Sequence, residues 1–148
     1  MRLWSYQLLP YLPDAQFKGQ LRELVAIMHD WKNKGKTNHL LINRVMEYSK
    51  ADLTTYFCWY NHLYNLRYNK FIKDDIINEF YDFKTPYDVN TFITKGIFND
   101  WHNENYLEIC MYNLYEKHLS IGKNRITEKE WKQLLIGYEK ITRKKWKT

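Results

Sequence analysis

Glycine and proline together account for only eight of the 148 residues, and nearly every stretch between them repeats apolar side chains at the 3.6-residue period of an α-helix. This pattern predicts an all-α chain. At this length one core can bury roughly two-thirds of the unfolded surface without disulfides or metals. The expectation is therefore a single compact helical domain over residues 1–148, with about five to six helices and one long central helix.

Pro13-Asp14 opens the first helix, with Asp14 as N-cap, and its apolar stripe runs through Phe17, Leu21, Leu24, Val25 and Met28. It is predicted to end near Trp31, before the basic loop Lys32-Asn33-Lys34-Gly35-Lys36. Asn38 is expected to cap a short helix through Leu41, Val45 and Tyr48. Ser49 to Asp52 reads as a variant capping box, with Asp in place of Glu or Gln. The long helix behind it carries Leu53, Tyr56, Phe57, Tyr60, Leu63, Tyr64 and Phe71 on one side, with Trp59, His62 and Leu66 on the other, as a helix buried on two faces does. Asp74-Asp75 starts a segment through Ile76, Ile77, Phe80 and Phe83 that stops at Thr85-Pro86, and residues 86–103 read as irregular. Tyr106, Leu107, Cys110, Met111 and Leu114 mark the next helix. Thr127 to Glu130 caps a last one bearing Trp131, Leu134, Leu135, Tyr138 and Ile141, and the tail from Arg143 is expected to fray.

The net charge of +6 is unevenly spread. Residues 1–73 hold eleven Lys or Arg against five Asp or Glu, residues 74–108 hold two against eight, and residues 123–148, the basic C-terminal helix and tail, hold nine against three. Two basic segments that meet on one face make the anion-attracting surface a nucleic-acid binder requires; a generally solvated surface is the plain alternative, because 17 of the 23 cations are the strongly hydrated Lys. Aromatics make up 18% of the chain, rings that fill a core and also stack on bases. Cys58 and Cys110 lie far apart with no zinc spacing, which fits free thiols in a reducing compartment. No apolar run reaches the roughly 18–20 residues of a spanning helix, and the start has no secretory pattern. A cytoplasmic protein away from membranes, with Met1 as its mature end and monomeric in the simplest case, is the expectation.

Several motifs resemble chemistry without completing it. His102-Asn103-Glu104 matches the H-x-E of zinc deaminases, but no Pro-Cys-x-x-Cys follows. The five histidines are scattered over separate elements, so no metal site is expected. There is no Walker-type glycine loop, no G-x-S-x-G elbow and no H-E-x-x-H pair, which sets aside nucleotide hydrolysis and serine hydrolase chemistry.

The most informative stretch is the first two dozen residues: Met1-Arg2-Leu3-Trp4, then Leu8-Leu9-Pro10-Tyr11-Leu12-Pro13, then Gly19-Gln20-Leu21-Arg22-Glu23-Leu24. On a helical wheel Gln16, Gln20 and Glu23 form a polar line off the apolar stripe of the first helix. A solvated face is the plain reading of that line. Gly19, inside the helix at a cost of about 1 kcal/mol relative to Ala, marks a place where another backbone or a ligand is expected to come close.

These runs resemble the amino-terminal signature of the pyrimidine-dimer DNA glycosylase (endonuclease V-like) family, with a looser likeness at His62-Leu63, His102, Tyr106-Leu107 and Asn113-Leu114. The resemblance implies a small helical enzyme acting on damaged double-stranded DNA, without a cofactor or metal, through the backbone α-amine as nucleophile and one helix-borne glutamate. Met1 and Glu23 are then the catalytic pair. Arg2 and Arg22 match positions that bind flanking phosphates, with ordinary surface pairing as the plain alternative. Gln16, Gln20, Lys32, Lys34 and Lys36 are candidate DNA contacts, and His62 and His102 candidate borders of the cleft. Physical chemistry favours such a nucleophile, since an α-amine of pKa ~7.7–8.0 is roughly a tenth to a fifth neutral at pH 7, whereas Lys at ~10.4 is almost wholly charged. Arg2 is too bulky for the usual removal of the initiator methionine, so the amine is assigned to Met1. The chain departs from the pattern at Ser5 and Gln16, where members carry His, and at Ala26, where some carry Arg. Two other readings stand beside this one: a non-catalytic nucleic-acid-binding relative, and a small helical protein-interaction module.

Overall fold

The computed structural model describes residues 2–123 and 125–147. Among the described residues it is all-helical: α1 (Asp14–Lys34), α2 (Lys50–Tyr68), α3 (Asp74–Phe83), α4 (Val89–Lys95), α5 (Glu104–Leu119) and α6 (Glu128–Thr142), with short 3-10 segments at Leu9–Tyr11 and Ile42–Glu47. Among the described residues no helix is long and apolar enough to cross a membrane. The chain divides into two units, one formed by its start up to Leu3 with Gln20–Asp100, the other by Trp4–Gly19 with the chain from Trp101 onward.

The first unit is organised by α2. Its first seven helical residues after Lys50, Ala51 to Phe57, are all buried, polar Asp52, Thr54 and Thr55 included. The second half differs from the expected two-faced burial, because His62 is exposed and Leu66 is 68% exposed. The helix stops at Asn69, whose left-handed φ of 57° is one that Asn tolerates better than most residues, so Phe71 lies beyond it and is exposed. Packing against α3 centres on Phe57 stacked on Phe80, ring centroids 4.0 Å apart. The Ser49 hydroxyl caps α2 by accepting from the Ala51 N–H. Asp52 does not complete a capping box. Its carboxylate instead accepts from the Phe98 N–H at 2.9 Å and the Tyr87 hydroxyl at 2.7 Å, which holds Phe98, fully buried, at φ 51°, a rare conformation for a bulky residue. The stretch expected to be irregular contains α4, capped by the Asp88 side chain.

In the second unit α5 and α6 pack together, and the Leu9–Tyr11 segment lies against α6. Gly137 makes this approach possible: a Cβ there would fall 2.3–2.8 Å from Tyr11 side-chain atoms. Gly19, where a close approach was expected, has nothing within 4 Å of such a Cβ. The Thr127–Glu130 capping box forms as the sequence predicts. The tail does not fray. Trp146 is buried against Trp131, Tyr112 and Tyr115, and its indole N–H donates to Glu108 at 2.9 Å. Tyr138 donates to the same carboxylate; burial first, then Glu108, push its hydroxyl up to about 12, so it is a proton donor at neutral pH. Lys144 adds an ion pair to Glu104.

Candidate active site

Of the residues singled out at the amino terminus, Gln20 and Glu23 come together within the first unit, around the backbone of Arg2. Its N–H donates to Glu23 Oε2 at 2.8 Å, and its carbonyl accepts from Gln20 Nε2, also at 2.8 Å. Gln20 and Glu23, three positions apart, stand on neighbouring turns of α1 and so grip the two ends of one residue. The spacing works because one side chain is an acceptor and the other supplies an NH2 donor. Met1, the expected nucleophile, lies outside the described residues.

Gln20 is not on a solvated line. It is completely buried, and its Oε1 accepts from the Tyr56 hydroxyl at 3.2 Å. Tyr56 is likewise fully buried on α2, where its apolar ring fills the core and its hydroxyl reaches the amide. A chain of bonds thus runs from the core of α2 through Gln20 to the Arg2 carbonyl. Tyr56 carried no signal as a site residue in the sequence: it sits on an apolar stripe 36 positions from its partner, and only tertiary packing joins them. Gln20→Leu keeps the volume but removes both bonds, and is expected to lower stability by about 1–3 kcal/mol. Chemical denaturation checks this; a change under about 0.5 kcal/mol would show that the two oxygens find equivalent partners.

Glu23 is half-buried. Among the described residues its carboxylate accepts the Arg2 N–H through Oε2. Arg22, one position away, is exposed and forms no ion pair among the described residues. The site therefore presents a carboxylate bonded to the backbone of Arg2, with an exposed arginine at the preceding position of α1.

The remaining flagged residues sit elsewhere. Lys32 and Lys34 occupy the last turn of α1, where cations also complement the helix dipole, and Lys34 lies 3.9 Å from Asp30. Lys36 is in the following loop, and all three are exposed. His62 is exposed on α2 and stacks on Trp59. Gln16, on the part of α1 in the second unit, is half-buried, with its Oε1 buried and unbonded among the described residues. His102, also in the second unit, is buried, sandwiched between Tyr6 and Tyr106, and its Nδ1 accepts from the Tyr6 N–H at 3.3 Å. Asn103 and Glu104 of the H-x-E triplet cap α5 and pair with Lys144. No three His, Cys, Asp or Glu come together among the described residues.

A helical fold with a carboxylate gripping the start of the chain is the class these observations define. Residues 1–74, half of the chain, match the family model of pyrimidine dimer DNA glycosylase. The chain belongs to that family, and is by family a DNA glycosylase and a DNA-repair protein. Neither a curated protein nor a solved structure matches it.

Proposed function

We propose that this chain is a metal-independent DNA glycosylase with an associated AP lyase activity on damaged duplex DNA, pyrimidine dimers foremost, and that Met1 and Glu23 carry the chemistry. The observation that supports this most directly is the Arg2 nitrogen held 2.8 Å from the Glu23 carboxylate. The α-amine of residue 1 is attached three covalent bonds from that nitrogen, so a tether on Arg2 limits how far the amine can stray from the carboxylate.

The uncharged amine attacks C1′ of the damaged nucleotide, the glycosidic bond breaks as the base leaves with its electron pair and takes up the proton the amine loses, and the C1′–O4′ bond then opens with a proton passing to O4′, so that nitrogen and C1′ form a double bond. The resulting iminium is a cation, and an ionised carboxylate beside it lowers the energy of its formation. Glu23 then removes a proton from C2′, the electrons expel the 3′ phosphate by β-elimination, and water releases the amine. Arg2 and Arg22 hold phosphates on either side of the extruded nucleotide, with Lys32, Lys34 and Lys36 further along the backbone.

A duplex carrying one cyclobutane thymine dimer tests the reading. Incubation in EDTA is expected to release the glycosidic bond at the dimer and nick the strand there, leaving an unsaturated aldehyde at the 3′ end of the nick. Salt-dependent binding of that duplex with neither event would instead favour a non-catalytic DNA-binding relative.

A further inference from the structure

Residues 31–46 run from the last turn of α1 into the Ile42–Glu47 segment with three Lys, one Arg and no Asp or Glu. Lys32, Lys34, Lys36 and Arg44 are all exposed. At the tip of this loop Leu40 and Leu41 are 88% and 87% exposed. Two adjacent leucines in water forgo the burial that usually stabilises such side chains.

The loop that carries them is tied at its base. Thr37 is buried, and its N–H donates to Asn43 Oδ1 at 2.7 Å. Its hydroxyl oxygen accepts from the His39 N–H at 3.0 Å, and the Asn43 side-chain amide donates back to the Thr37 carbonyl at 3.3 Å. The His39 carbonyl accepts from both the Ile42 and Asn43 N–H groups. The leucines are thus presented from a cross-tied loop, and no Asp or Glu lies in the sequence between Lys32 and Arg44, although Lys34 stands 3.9 Å from Asp30.

An occupant of this surface has to be apolar at its centre and anionic around it. Protein interfaces are depleted in Lys, whereas a DNA duplex offers both features together, stacked bases between two rows of phosphates. Leucine is among the side chains that enter base steps and kink a duplex while cations hold the backbone. We propose that Leu40 and Leu41 form a wedge that inserts into the base stack of duplex DNA, with Lys32, Lys34 and Lys36 on the adjoining phosphates. The proposal rests on the reading of this chain as an enzyme of duplex DNA. The wedge uses residues other than those of the Glu23 site, in the loop that follows α1.

Undamaged duplexes with 2-aminopurine at successive positions give a test without turnover, using the full chain and a Leu40→Ser/Leu41→Ser double variant whose changes are confined to exposed side chains. The parent is expected to raise the fluorescence at one or two adjacent positions. The double variant should lose that rise and bind duplex about tenfold or more weakly, with single-strand affinity and the salt slope unchanged. Lys32→Gln/Lys34→Gln/Lys36→Gln should do the opposite, flattening the log–log salt slope by up to about 2.7 while keeping the fluorescence rise at saturation. A double variant that binds and unstacks duplex like the parent overturns the wedge, and so does an equal loss on single strands. Loss of self-association in sedimentation with duplex binding intact would assign the leucines to a second copy of the chain and overturn it as well. A parent that shows no salt-dependent duplex binding overturns the DNA-acting reading on which the wedge stands.

Discussion

Borohydride added to this protein and an abasic-site duplex in EDTA is expected to leave a stable covalent protein–DNA adduct, and acetylating the Met1 amine beforehand is expected to abolish it. Reduction traps the imine only where an uncharged amine has reached the sugar. At pH 7 roughly a tenth to a fifth of ordinary α-amines are in that form, against well under one in a thousand of ordinary lysines. The expected loss on blocking the terminus is thus 100-fold or more, even though 17 lysines remain available. An uncleaved amino-terminal tag should act like acetylation, since it converts the amine to an amide and also pulls on the Arg2 backbone fastened between Glu23 and Gln20. Mass mapping of the adduct is the check. Trapping that survives terminal blocking would move the nucleophile to a lysine.

The fastening of Arg2 also shows where sequence reasoning succeeds in this chain and where it stops. The order and approximate extent of the longer helices are legible because apolar spacing is local: the stripe through Leu107, Cys110, Met111 and Leu114 is buried as its period requires, and the Thr127–Glu130 capping box forms, whereas the short α4, with no buried residue, leaves no such stripe to read. Glu23 is flagged by resemblance, and it does meet the start of the chain. Gln20 escapes the same reasoning, because a wheel sorts residues by polarity and cannot know that a buried hydroxyl on α2 and a backbone carbonyl will both need an amide partner. Asp52 fails likewise: its local signal is a cap, but its carboxylate is taken up by Phe98 and Tyr87, 46 and 35 positions away. The basic tail reads as loose by composition and is anchored by one indole, Trp146, in a cleft of rings that sequence order does not reveal. Glycines show the same limit. Gly19 and Gly137 are equally helical, and only the fold decides that Gly137 is the one lying under Tyr11.

Glu23 is where chemistry and architecture have to be separated, because one side chain both grips Arg2 and supplies the proposed charge. Glu23→Gln does so. Its amide oxygen can still accept the Arg2 N–H, so the tether is retained, whereas the negative charge facing the iminium and the basic site for the C2′ proton are both lost. Turnover on dimer or abasic duplex is expected to fall about 10²-fold or more, the general range for acid–base and electrostatic contributions. Duplex binding should be kept or tightened, since a carboxylate facing phosphates is gone. Glu23→Ala removes the tether as well, and should lose a further share of turnover together with about 1 kcal/mol of stability. The contrast between the two variants measures positioning apart from charge: single-turnover rates with saturating enzyme report the chemical step, and denaturation reports the tether. A Glu23→Gln protein that nicks at the parental rate would leave Glu23 as a structural clamp on Arg2 and remove it from the reaction.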